Sequence, residues 1–339
     1  MKHMKSMVLR EIRKAEEEPL VMEDLDTPEP SENQILIRIT SSGVCRSNLH
    51  MIEGDWVQNG VPARLPIIPG HEVIGRVEKV GENVDYFRKG DLAGVQPLWT
   101  ACGRCEYCLS GRENLCPNKQ VTGETLDGGY SEYMLADARY AYRIPAGIDE
   151  TRDAPLFCPG VTAYRAVKQA RLGPAKEVFI FGVGGVGHLA IQFAKLSGAR
   201  VTAVSTGERH RDLALRVGAD DVIDPGRDYS GISKFSRAAD RAIVFAPSQA
   251  AIDAALKTLK PGGRLVLGVF GGASSIPFVD EIEIVGSVIG TRKDMNEVLR
   301  LASTGKVRIE AERYRLDQAN EVLLRLKRGQ INGRAVLNP

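Results

Sequence analysis

The sequence predicts an α/β chain with two architectures in series, a β-rich antiparallel region and a parallel sheet flanked by helices. Three observations carry that expectation. Residues 1–150 hold short β-like runs (ILIRIT, HEVIGRVEKV, YSEYMLA) separated by Gly, Pro and Asn. Such punctuation marks a barrel-like or sandwich-like antiparallel region. From Leu172–Lys176 onward strands and helices alternate: EVFIFG, VGHLAIQFAKLSG, RVTAVS, ERHRDLALRVG, DRAIVFA, QAAIDAALKTL and GRLVLGVF. That rhythm places parallel strands in one sheet with helices across its faces. A length of 339 residues, 43% hydrophobic and 26% charged, allows each region its own core. The tail holds helices at Met295–Ser303 and Gln318–Lys327, and periodicity assigns its end to neither half.

Charge and hydropathy narrow the function classes. A net charge of +2 gives no basis for nucleic-acid or anionic-membrane binding. The opening MKHMKSMVLREIRK is basic but lacks the apolar core of a signal peptide, and no run is long enough for a membrane span. A cytoplasmic location is expected.

In the first region, ACGRCEYCLSGRENLC sets Cys102, Cys105, Cys108 and Cys116 within fifteen residues. Cytosolic thiols stay reduced, so the cluster reads as a metal site rather than a disulfide framework. C-x2-C-x2-C-x7-C suits a closed tetrahedral zinc site, with iron–sulfur ligation as the rival. Four protein ligands leave no position for substrate. This metal is structural.

In the second region, VFIFGVGGVGHLAIQFAK puts Gly182, Gly184 and Gly187 between a strand and an amphipathic helix. The first permits a tight turn, the second lets backbone approach a pyrophosphate, and the third lets helix and strand pack closely. Free amides at the helix start, including those of Gly185 and Val186, then face the anion. The strand RVTAVS ends at Ser205, where an acid would bind the ribose 2′-hydroxyl of NAD. Ser205 and Thr206 tolerate a 2′-phosphate, and Arg209, His210 or Arg211 would attract it, although Glu208 stands among them. NADP(H) is therefore favoured over NAD(H).

Cys45, His71 and Cys158 remain, with Glu72 beside the histidine. Singly each reads as a core residue; together two Cys and one His form the three-ligand set of a catalytic zinc with one position open. The motifs GVCRSNLHMIEGDW, PGHEVIGRVEKVG, CGRCEYC, LFCPGVTAYRA and GVGGVG resemble, in order and spacing, those of zinc-dependent medium-chain alcohol dehydrogenases. The resemblance spans nearly the whole chain. It implies a GroES-like catalytic domain over 1–159, to which 291–339 returns, and a doubly wound Rossmann domain over 160–290.

It also implies roles. Cys45, His71 and Cys158 match the catalytic zinc ligands, and Glu72 matches a carboxylate that approaches the metal when coordination changes. That makes two zinc ions per chain, one catalytic and one structural. Ser47 matches the hydroxyl that starts a proton relay, and His50 its solvent-side end. Asn48 departs from the family, where an Asp usually orients the zinc-binding histidine; its amide oxygen is expected to accept the imidazole N–H without adding charge. Arg46 and Arg334 match pyrophosphate contacts, the latter in GQINGRAVL. Thr162 lies near the nicotinamide, and backbone around Val269, Ser287 and Ile289 matches the carboxamide-binding edge. Trp56 and Trp99 match pocket positions, implying a narrow apolar site for small aliphatic or aromatic alcohols, aldehydes or ketones. Homodimers and homotetramers both occur in such proteins. Alternatives are a sugar or polyol dehydrogenase of the same fold, a zinc-independent enone reductase, and a non-catalytic protein that uses the fold for structure or for sensing NADP(H).

Overall fold

A computed structural model describes residues 3–339. The chain divides into two compact units. One takes the chain through Cys158, Thr291–Ser303 and Ile309–Pro339; the other takes Pro159–Gly290 and Thr304–Arg308.

The first unit is organised by the eleven-residue strand Gln34–Val44. Its alternation sends Ile35, Ile37 and Ile39 into one core cluster and Leu36 into another, so both faces are covered. Arg38, between them, stays exposed. Three strands pair with it antiparallel: Val73–Val80, Tyr133–Asp137 and Arg334–Asn338. Two register shifts against Val73–Val80 bend the sheet, as β-bulges do. The sheet runs Ala311–Arg315, Arg334–Asn338, Gln34–Val44, Val73–Val80, Leu92–Val95, Tyr142–Arg143. Ala335 opposite Val44 and Leu337 opposite Ser42 explain the tail that periodicity left unassigned: it is a strand of the first sheet.

The second unit is a six-stranded parallel sheet. Its order is Asp221–Ile223, Arg200–Val204, Glu177–Phe181, Ala239–Val244, Leu259–Leu267, Glu283–Gly286. Chain order therefore reverses beside Glu177–Phe181, the doubly wound arrangement whose ligands bind beyond the carboxyl ends of the strands at that point. The central run EVFIF is buried from Val178 to Phe181, as a strand covered on both faces requires.

Two boundaries differ from the sequence expectation. Pro159 groups with the second unit because it opens the helix Pro159–Gln169. Thr304–Arg308, expected to return with the rest of the tail, also groups there. Gln192 holds it: its amide donates to Arg308 O (3.0 Å) and its carbonyl accepts Arg308 N–H (2.9 Å). Among the described residues no helix is long and apolar enough to cross a membrane.

Candidate active site and metal centres

Cys45 follows the strand Gln34–Val44 and caps the helix Arg46–Glu53 in extended backbone. His71 and Glu72 immediately precede the strand Val73–Val80, behind Gly70, whose φ of 100° suits only glycine without strain. A Cβ there would also fall 2.5 Å from the Tyr130 ring. Cys158 ends the short 3-10 segment Ala154–Phe157. Cys45, His71, Glu72 and Cys158 each bring a ligand atom within 4.8 Å of the others. The Cys45 and Cys158 sulfurs are 3.9 Å apart, and both cysteines are free. Two thiolates on one tetrahedral ion at about 2.3 Å each stand roughly 3.8 Å apart, so the spacing fits zinc.

Electrostatics at this cluster follow from burial. The hydrogen bond with Cys158 holds the Cys45 thiol well below its usual range, and that same bond pushes Cys158 up. Burial raises Glu72 to about 7 against the opposing charge of Arg334. Arg334 is itself buried, and its Nη2 donates to Glu72 Oε1. Glu72 Oε2 has no hydrogen-bond partner. An orphaned acceptor among metal-ligand atoms is the feature an ion would satisfy. Ser47 Oγ donates to Cys45 Sγ (3.0 Å) and lies 3.4 Å from His71 Nε2.

Cys102, Cys105, Cys108 and Cys116 form the second cluster, again within 4.8 Å. Sulfur separations of 3.9 Å (Cys102–Cys108) and 3.5 Å (Cys105–Cys108) suit ligands of one ion, whereas cysteines on separate irons of a cluster stand further apart. Backbone hydrogen bonds from Arg104 and Cys105 lower Cys102 to about 6, favouring the thiolate a metal needs.

At the glycine-rich turn, Gly182 has φ 90°, and a Cβ on Gly187 would sit 2.0 Å from Gly182 O. At Gly184 a Cβ would meet nothing within 4 Å, so the backbone is open to a ligand. Val186 caps the helix Gly187–Leu196.

Two family models match this chain: "Alcohol dehydrogenase GroES-like domain" over residues 31–146 and "Zinc-binding dehydrogenase" over 185–304. An alcohol dehydrogenase of Geobacillus stearothermophilus is 41% identical, the match covering 98% of this chain and 99% of the relative. The chain belongs to the zinc-type medium-chain alcohol dehydrogenase family. An NAD-dependent alcohol dehydrogenase of Sulfurisphaera tokodaii is 36% identical, with 99% of this chain and 100% of the relative covered. The crystal structure of the alcohol dehydrogenase from Aeropyrum pernix superposes with a TM-score of 0.90 at 36% identity, covering 99% and 100%.

The remaining positions of this family member fall as follows. His50 Nδ1 lies 2.7 Å from Asp55 Oδ2 and its ring 5.4 Å from that of Trp56; Ser47 instead joins the ligand cluster. Arg46 is exposed and reaches Leu326 O. Arg334, expected at a pyrophosphate, spends Nη2 on Glu72, while its buried Nε has no partner. Thr162 lies on the helix Pro159–Gln169. Val269 packs against the second unit's core, and Ser287 N–H donates to Leu267 O. Ile289 adopts φ 49°, a costly conformation for a β-branched residue and one that concentrates at ligand sites. Trp56 packs on the first unit's core, and Trp99 Nε1 donates to Leu135 O (3.4 Å).

Asn48 corrects one expectation. Its oxygen accepts Cys45 N–H (3.2 Å) and Tyr130 O–H (3.1 Å), so its amide nitrogen, not its oxygen, lies 3.4 Å from His71 Nδ1. With an N–H facing it, Nδ1 of a neutral ring would accept there and carry its proton on Nε2, beside Cys45 and Ser47. Metal binding through Nε2 requires that proton to leave and Nδ1 to find an acceptor instead. A carboxylate has lone pairs for all three donors. Asn48→Asp is therefore expected to tighten zinc binding about tenfold or more, measured by competition with a chromophoric chelator. Unchanged affinity would show that this ring contact is not limiting. The Tyr130 partnership was not foreseen, since nothing in DGGY singles out a buried hydroxyl.

Proposed function

We propose that this chain interconverts small alcohols with aldehydes or ketones by hydride transfer with NADP(H), using zinc at Cys45, His71 and Cys158. The observation that carries the reading is the buried two-Cys, one-His set with the unsatisfied Glu72 oxygen beside it. Zinc held by Cys45, His71 and Cys158 would supply Lewis-acid polarisation of the substrate oxygen, and a dinucleotide at the Gly182–Gly187 turn would supply the hydride acceptor or donor. Ser47, a hydroxyl within reach of His71 and Cys45, takes the alcohol's proton and passes on its own; His50, partly exposed beside Asp55, is the outlet. The four-cysteine site holds a second, structural zinc.

The cofactor preference rests on one cation. Arg211 is held by Ser205 O (2.9 Å) and Asp224 (3.0 Å), and burial lowers His210 toward the neutral form. Arg209, exposed and without a hydrogen-bond or ion-pair partner among the described residues, supports a 2′-phosphate site together with the exposed Thr206 that follows the buried Ser205. NAD(H) is the second reading, favoured by the name of the Sulfurisphaera relative. Initial rates with an aromatic aldehyde should be higher with limiting NADPH than with NADH. Arg209→Ala should raise KM for NADPH about tenfold, the scale of one charge-assisted hydrogen bond, and leave NADH unaffected. A clear NADH preference would keep the enzyme and sink the cofactor assignment.

We also infer a cytosolic location and a homo-oligomer, dimer or tetramer. The edge strand Glu283–Gly286 and the exposed Phe278 (86%) and Val279 (71%) support a self-contact. A monomeric mass in light scattering would overturn it.

A further inference from the structure

Glu124 is an acid that neither the metal clusters nor the cofactor turn uses. It sits on a tight turn closed by Gly123 N–H to Leu126 O (2.8 Å) and Thr125 N–H to Val121 O (2.9 Å). That turn is pressed onto the residue preceding His71. A Cβ at Gly123 would fall 2.6 Å from Gly70 O, and one at Gly128 2.0 Å from the same atom. Two further contacts tie the turn to the segments bearing the tryptophans. Ala63 N–H donates to Glu124 O (2.9 Å), seven residues beyond Trp56, and Val121 pairs with Leu98, next to Trp99.

The carboxyl group itself has no hydrogen-bond or ion-pair partner among the described residues and is only partly exposed. Burial raises its pKa, with the charges of His71 and Cys45 also acting on it, and its own charge in turn raises His71. The contact of its turn with Gly70 O sets Glu124 beside the segment that carries His71, and it is not one of the four ligand residues. A half-buried carboxyl with no donor is unfavourable alone and is relieved by a ligand that brings one.

We propose that Glu124 determines substrate specificity, its carboxylate accepting a hydrogen bond from a second hydroxyl of the alcohol substrate. The inference rests on the alcohol dehydrogenase reading above. It replaces the wholly apolar pocket expected from Trp56 and Trp99 with one that has a polar wall. An alcohol lacking the second hydroxyl leaves the carboxylate unpaired, so discrimination acts in favour of diols or hydroxyaldehydes.

The test uses full-length, zinc-replete enzyme supplied with either NADP+ or NAD+ and compares 1-butanol with 1,2-, 1,3- and 1,4-butanediol. At least one diol should exceed 1-butanol in kcat/KM by about tenfold or more, the scale of a hydrogen bond to a charged group. Glu124→Leu should bring that diol down to the level of 1-butanol while 1-butanol itself holds or improves. Glu124→Gln, close in shape, should retain part of the preference. Zinc content of both variants should equal that of the parent. Loss of both substrates in parallel would mean that Glu124 only supports the turn, and a diol preference unchanged in Glu124→Leu would also overturn the proposal. If the parent oxidises none of the four alcohols with either cofactor, the underlying dehydrogenase reading fails with it.

Discussion

Cys45→Ser protein is expected to fold, to hold one zinc ion per chain instead of two, and to lose on the order of 10³-fold in kcat for alcohol oxidation. Folding survives because Cys45 is the N-cap of a helix, a position where serine is preferred. The metal does not, because a hydroxyl replaces the thiol whose sulfur lies 3.9 Å from that of Cys158 and 3.0 Å from Ser47 Oγ. Soft thiolate is the ligand type that would hold zinc at this position, and a hydroxyl is a poor substitute. The lost polarisation of the substrate oxygen is worth several kcal/mol, and each 1.36 kcal/mol is about a factor of ten in rate. Metal analysis with initial rates checks both parts. Cys105→Ser is the control: it should lose the other zinc and lower the melting temperature, with kcat per folded molecule largely kept. Full activity in Cys45→Ser would show that the reaction does not depend on this metal site, and assays on activated C=C bonds would then test the zinc-independent enone reductase.

Much of this organisation is legible in the residues, for reasons that differ by element. The parallel sheet is announced by continuous apolar runs such as EVFIF, since a strand covered on both faces leaves no ambiguity about which side is buried. The four-cysteine cluster is local, so spacing alone brings its sulfurs together. Cys45, His71 and Cys158 are far apart in sequence, and their convergence depends on how Gln34–Val44 and Val73–Val80 pair, which no single stretch encodes. The returning strand Arg334–Asn338 was invisible to periodicity because its partner lies almost 300 residues earlier. Glu124 and the orientation of Asn48 were missed for one reason. A residue's hydrogen-bond role depends on donors supplied by other segments: Asn48 takes its partners from Cys45 and Tyr130.

Arg334→Met should destabilise the first unit by about 3–5 kcal/mol, the cost of leaving one member of a buried ion pair alone. Both partners are nearly inaccessible, Arg334 at 4% and Glu72 at 0%. Methionine fills much of the guanidinium's volume but donates nothing, so Glu72 would lose its one hydrogen-bonding side chain while its second oxygen is already unsatisfied. At about 2–4 °C per kcal/mol for a unit of this size, the melting temperature should fall by roughly 6–20 °C. The double variant Glu72→Gln/Arg334→Met separates mechanism from damage. If the uncompensated carboxylate is the cause, neutralising it should restore more than half of the lost stability. No recovery would place the cost in packing instead. The same variant bears on the pyrophosphate role, because Arg334 Nε is still unpartnered and a cofactor phosphate would engage a face of the guanidinium that Glu72 leaves free. A rise in cofactor KM beyond the change in folded fraction would show one arginine serving both the carboxylate behind the metal site and the dinucleotide. Unaltered KM would confine Arg334 to holding Glu72 in place.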